Sequence, residues 1–166
     1  MPSYVVTRAP GKINLQLSVG PLQADGYHPV ATVFQAVSLF DDVRISFSDK
    51  PGISLTASGK VSELLPLDKN NLAFKAAELM CKKFEITDGL AITLTKEIPI
   101  AGGMAGGSAD AGATIVGLDA LFGLGLSRSE MEKIGSELGA DIPFTISGGT
   151  AIGTGRGDQI TPVLSR

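Results

Sequence analysis

Four glycines fall within six residues of the stretch Pro99-Ile100-Ala101-Gly102-Gly103-Met104-Ala105-Gly106-Gly107-Ser108. A strand pattern leads into it, and a helix pattern with the Ser108 hydroxyl at its N-cap leads out, so bare backbone N–H groups and a positive helix end face the same point. That combination favours a phosphate. Side chains at Gly102, Gly103, Gly106 and Gly107 would hold the backbone away from phosphate oxygens. The same pattern also fits a flexible turn feeding a buried helix. Neither a G-x-x-x-x-G-K-[ST] loop nor a G-x-G-x-x-G fingerprint is present. The catalytic-loop and Mg-binding triplets of protein kinases are missing as well.

Asp141 is a lone carboxylate just past a predicted helix end, on an Ile142-Pro143 segment that the proline stiffens. A catalytic base needs such fixed placement, although a surface turn aspartate reads the same way. Lys12 sits in the Pro10-Gly11 bend, where an ammonium beside a carboxylate would keep it ionised or stabilise charge on a transferring phosphoryl group. Lysines at bends are also commonly just solvated. Asp25-Gly26-Tyr27-His28 puts an aromatic ring next to the chain's single imidazole, a pair able to stack on and hydrogen-bond a base, or simply a turn that tucks one ring inward. Cys81, on the apolar side of a predicted helix, reads as core and receives no redox role.

These residues hang on a mixed framework. Tyr4 to Val19 reads as two strands around a tight bend at Ala9-Pro10-Gly11, and Ala31 to Phe40, Val43 to Phe47 and Ile53 to Ala57 as three further strands. From Asn71, Leu72, Ala76, Leu79 and Met80 line one helical face, with Glu78, Lys82 and Glu85 pointing away. Leu90 to Thr95 alternates as a strand, and Ser108 to Phe122 is apolar enough for a buried helix ending at Gly123 to Gly125. Ser127 and Glu130 form a capping-box pattern for another helix, with Gly139 as its stop. Pro143 predicts an extended Asp141-Ile142 segment. Short strands at Gly149 to Ile152 and Gln159 to Leu164 close the chain. Strands and helices without regular alternation predict α+β rather than a doubly wound parallel sheet.

With 43% hydrophobic and 19% charged residues in 166, one domain can close a core. The net charge of −3 has the wrong sign for a general nucleic-acid or anionic-membrane binder. One cysteine forms no internal disulfide, and one histidine makes no His-rich zinc site, so no metal is assigned and a reduced cytoplasm fits best. No stretch reaches the roughly 18 apolar residues of a membrane helix.

Four fragments, Ala9-Pro10-Gly11-Lys12-Ile13-Asn14, Asp25-Gly26-Tyr27-His28, Pro99 to Ala111 and Gly139-Ala140-Asp141-Ile142-Pro143-Phe144, resemble in order and spacing the motifs of the GHMP kinase superfamily. The D-G-Y-H turn, which homoserine, galactose and mevalonate kinases lack, is similar to the branch that phosphorylates 4-diphosphocytidyl-2-C-methyl-D-erythritol for non-mevalonate isoprenoid synthesis. The resemblance implies an N-terminal GHMP domain, a mixed sheet with helices packed on one face, sharing its architecture with a ribosomal-protein domain. It implies Asp141 as the base that takes the substrate hydroxyl proton and Lys12 as its ion-pair partner. Tyr27 would stack on the cytosine, His28 would hydrogen-bond its edge, and Asn14 would lie in the same pocket. Gly102, Gly103, Gly106, Gly107 and Ser108 would wrap the ATP phosphates, with Lys96, Asn71 and Leu72 near the nucleoside and Mg²⁺ carried by the nucleotide.

The loop departs from the family's G-L-G-G-G-S-S-N at Ala105 and Ala109. A methyl at Ala105 is tolerated unless that residue takes a positive φ. The family is nearly twice as long, with a second domain carrying a third glycine-rich motif, so the resemblance implies a fragment lacking that domain. Surface left by its loss would invite self-association. Another GHMP kinase of the homoserine or mevalonate type, or a nucleotide-binding fragment without turnover, are the alternative readings.

Overall fold

The computed structural model describes residues 2–24 and 26–163. Asp25 of the D-G-Y-H turn and Leu164, the end of the last predicted strand, lie outside the described residues. The order is β1 (Tyr4–Val19), β2 (Val30–Ser48), β3 (Ile53–Gly59), α1 (Leu72–Lys83), β4 (Gly89–Lys96), α2 (Gly106–Phe122), α3 (Arg128–Ser136), α4 (Ile142–Ser147), β5 (Thr150–Thr154) and β6 (Gln159–Val163). This is the expected α+β arrangement.

The long β2 is the spine of a mixed six-stranded sheet. It pairs antiparallel with β1 over residues 30–36 and 40–46, and its far side takes β5 on residues 32–35 and β4 on residues 42–48. β3 then runs parallel to β4, and β6 antiparallel to β5. The two strands expected over 4–19 are one. The Ala9-Pro10-Gly11 interruption is an irregularity in the ladder, with register shifts between Pro10 and Lys12 and between Asn14 and Gln16, not a turn. A bulge lets a proline sit in a strand and re-aims the side chains beyond it. The runs 31–40 and 43–47 likewise join into β2.

β4 shows why the sheet has one core face: Leu90, Ile92 and Leu94 are buried while Ala91 and Thr93 between them are less so. Against those side chains pack Ala73, Ala76, Ala77 and Met80 of α1 and Ile115, Leu118 and Leu121 of α2. Burying each such Leu or Ile is worth about 1.5–3 kcal/mol. α2 approaches closely because it is built of small residues; a Cβ on Gly112 would collide with the Thr145 hydroxyl of α4. α1 starts as expected, since the Asn71 side chain caps it by accepting from the Ala73 N–H at 2.8 Å. α3 has the complete Ser127–Glu130 capping box. Among the described residues no helix is long and apolar enough to cross a membrane.

The structure corrects the reading of Asp141-Ile142-Pro143. Ile142 opens α4 and Asp141 is its N-cap, at φ −81° and ψ −19°. Pro143 falls in the first turn, where its missing N–H costs no hydrogen bond, so the proline starts a helix instead of forcing extended backbone.

Candidate active site

The glycine-rich loop joins β4 to α2 and lines, with Leu72 and Leu65, a pocket of about 290 Å³. α2 begins at Gly106, two residues before the expected start, with Ala105 as its N-cap and no side chain capping it. Ser108 is therefore in the first turn and not at the cap. The opening amides of α2 therefore have no capping side chain and can receive an anion. Ala105 does take the left-handed conformation, at φ 56°, as does Ala101 at φ 59°. Both methyls are held where glycine would be at ease. A Cβ on Gly107 would touch Leu72, so Leu72 and the loop share one wall.

Three contacts bring the other predicted residues to this loop. The Lys12 N–H donates to the Met104 carbonyl at 3.0 Å, tying the β1 irregularity to the loop. The Thr145 hydroxyl donates to the Ser108 carbonyl at 3.2 Å, tying α4 to the first turn of α2. Between them the Lys12 ammonium lies 3.7 Å from Asp141 Oδ2. The Lys12 side chain is 9% exposed and that of Asp141 39% exposed, so the cation is set into the floor and the carboxylate opens to solvent. Lys12 Nζ also donates to Asn14 Oδ1 at 2.7 Å and sits 5.3 Å above the Phe34 ring, which stacks on Phe144 of α4. Asn14 Nδ2 in turn donates to Thr32 Oγ1 at 2.7 Å. A carboxylate held beside a fixed ammonium and a row of helix amides can accept a proton from a hydroxyl while developing phosphate charge is balanced.

Tyr27 and His28 line a separate pocket. The Tyr27 ring lines both a pocket with His28, Gly155, Arg156 and Gln159 and a second one with residues 136–140, which leads to Asp141. His28 Nδ1 donates to the Gly20 carbonyl at 2.8 Å, which leaves Nε2 to face a ligand. The Gly20–Pro29 and Gln23–Tyr27 backbone bonds hold the turn, and the Val30 N–H bonds the Gly155 carbonyl. That last bond delivers Arg156, whose guanidinium lies 5.0 Å over the Tyr27 ring and pairs with Asp158 at 3.2 Å. Sequence reasoning missed Arg156, which carries no local motif and arrives only through the β5–β6 turn.

Asn71 and Lys96 also have partners within the chain. Asn71 is buried, caps α1 and donates to the Pro66 carbonyl at 3.0 Å. Lys96 is 1% exposed, its ammonium bonded to Asp41 and, at 2.6 Å, to Asp110. Burial, opposed by Lys96 and reinforced by Asp41, pushes the Asp110 carboxyl up to about 7. An aspartate in an otherwise small, apolar helix start was the signal that could have exposed this cluster. Cys81 is a half-buried free thiol whose pKa burial raises.

The fold is that of the N-terminal domain of GHMP kinases, and the family model described as GHMP kinases N terminal domain matches residues 71–149. The relatives are more particular. A 4-diphosphocytidyl-2-C-methyl-D-erythritol kinase of Leifsonia xyli subsp. xyli is 50% identical over 161 residues, 97% of this chain and 53% of the relative. One of Rhodococcus jostii is 49% identical over the whole chain and 53% of its own length. A crystal structure of 4-(cytidine 5'-diphospho)-2C-methyl-D-erythritol kinase superposes with a TM-score of 0.79 at 32% identity, over 96% of this chain and 55% of that one. Homoserine kinase from Cytophaga hutchinsonii, with a TM-score of 0.71 at 21% identity, shares the fold. The chain spans about half the length of the curated relatives it matches.

Proposed function

We propose that this chain supplies the ATP- and substrate-binding site of a kinase that phosphorylates a hydroxyl of 4-diphosphocytidyl-2-C-methyl-D-erythritol, with MgATP as phosphoryl donor. The observation that carries the reading is the Lys12–Asp141 pair, 3.7 Å apart beside the uncapped start of α2. In this reading the loop amides from Gly102 to Ser108 take the phosphates, and the Mg²⁺ arrives with the nucleotide. The substrate hydroxyl oxygen attacks the γ-phosphorus, the bond to ADP breaks, and Asp141 accepts the hydroxyl proton. Lys12, 3.7 Å from Asp141, balances charge on the phosphoryl group in flight. Tyr27 offers its ring face to the cytosine, and His28 Nε2 accepts from the base edge. Asn14 keeps Lys12 in place from below.

The names of the relatives and the Tyr27–His28 cleft support the cytidyl substrate over a free amino alcohol or mevalonate. A cytoplasmic setting, where ATP is plentiful, belongs to the same reading. Incubating the chain with MgATP and, in separate tubes, the cytidyl substrate, homoserine and mevalonate tests it by mass spectrometry. A phosphorylated cytidyl compound alone is the expected product. Phosphohomoserine or phosphomevalonate instead would reject the substrate. Binding of ATP and substrate without any product would reject turnover by this chain and leave a binding role.

A further inference from the structure

The polar cluster beneath the loop plays no part in the steps above. Lys96 at the end of β4, Asp41 on β2 and Asp110 on α2 are each at most 1% exposed. Three ionisable groups stay buried only when paired and hydrogen-bonded. Lys96 Nζ donates to Oδ2 of both aspartates. The other oxygen of Asp41 accepts from the backbone N–H groups of Glu97 at 2.6 Å and Ile98 at 2.9 Å, the residues that open the loop. Asp110 lies at the other end, just past the loop in α2. Between the two ends, a Cβ on Gly106 would lie 3.5 Å from the Lys96 ammonium. One ammonium thus joins the entry and the exit of the loop from underneath.

We propose that Lys96, although its side chain borders the loop pocket, is a positioning residue which, with its ammonium clamped between Asp41 and Asp110, holds the glycine-rich loop in the shape that receives phosphates. The inference deepens the kinase reading and rests on it for the identity of the ligand. Two carboxylates share one ammonium, and Asp110 Oδ1 is buried with no hydrogen-bond partner. Burial disfavours the Asp110 charge more than Lys96 favours it, so its carboxyl, pushed up to about 7, holds a proton through the lower part of the neutral range. The charged groups that act on Asp110 are Lys96 from β4 and Asp41 from β2. α1 turns Ala73, Ala76, Ala77 and Met80 inward, α4 carries no charged residue, and Lys12 of β1 pairs with Asp141. The clamp is therefore tightest with Asp110 neutral and loosens as it ionises.

Hydrogen–deuterium exchange of residues 99–108 without nucleotide, paired with calorimetric titration of MgADP, tests this on the wild type, K96M and D110N. For K96M the expected result is loop exchange and the MgADP dissociation constant both raised about tenfold or more, with β1 and β2 amides unchanged. In the wild type, loop exchange corrected for intrinsic rate should rise severalfold from about pH 6 to about pH 8.5, and D110N should abolish that rise. Lost MgADP affinity with unchanged loop exchange in K96M would make Lys96 a direct nucleotide contact and overturn the proposal. No change in either readout would overturn it too. If K96M does not fold, the D110N profile decides, and a pH rise that persists in D110N overturns the clamp. A wild type that binds no MgADP would reject the kinase reading separately, because loop exchange still reads the clamp.

Discussion

Lys12 Nζ lies 3.7 Å from Asp141 Oδ2, although one residue belongs to the first strand and the other caps the last helix. Two local features make the meeting possible. The register shift after Pro10 re-sets Lys12 opposite Ala36 of β2, and the Met104 carbonyl anchors its backbone. Ile142 opens α4 directly after Asp141 with Pro143 in its first turn, and the Phe34–Phe144 stack seats that helix on β2. The pair is thus set by backbone geometry on both sides, with the Lys12 ammonium buried enough to act in a low-dielectric setting.

Substrate capture should separate from nucleotide capture. H28A removes the ring that lines the Tyr27 pocket, and R156A removes the cation stacked on Tyr27. Each is expected to raise KM for the cytidyl substrate several-fold while leaving KM for MgATP within error, as steady-state kinetics with each substrate varied in turn would show. Equal increases in both KM values would make these residues structural supports.

Relief of backbone strain is expected at Ala105. Its φ of 56° is one that glycine adopts freely and alanine does not. A105G should stabilise the fold by up to about 1 kcal/mol, the relief of strain being partly offset by the added freedom of the unfolded chain. Chemical denaturation at constant pH checks this; a variant less stable than the wild type contradicts it.

The pH dependence of stability follows from Asp110. Its carboxyl sits at about 7 in the folded chain against an ordinary value of 3.8, so the folded chain keeps a proton that the unfolded chain has already released. The stability contributed by that group is full below about pH 4, falls as pH rises toward 7 and is level above it. D110N should lack this fall, so its melting temperature should gain on the wild type between about pH 5 and pH 8. Parallel melting curves for the two proteins across that range would refute the assignment.

Local signals made much of this molecule legible. The Ser127–Glu130 box and the apolar stripe from Leu72 to Met80 mark helices because caps and period are properties of a few consecutive residues. The glycine loop is legible for the same reason, and so is the mixed α+β class. Pro143 misled because a proline disfavours helix before it only when it is not itself in the first turn. The family resemblance puts Lys96 near the nucleoside. Only the fold brings Asp41, 55 positions earlier, under it and spends its charge. The same resemblance puts Asn71 near the nucleoside, and the fold adds that its side chain caps α1. Arg156 stands beside Tyr27 through strand pairing alone, which no window of neighbouring residues contains.

The most direct test of the central claim is phosphoryl transfer from MgATP to the cytidyl substrate by D141N against the wild type, with kcat and KM determined separately. Loss of a positioned base predicts kcat lowered about 10²–10⁴-fold with KM changed little. A D141N protein that keeps its kcat and shows only a raised KM would contradict the role of Asp141 as the group that takes the proton.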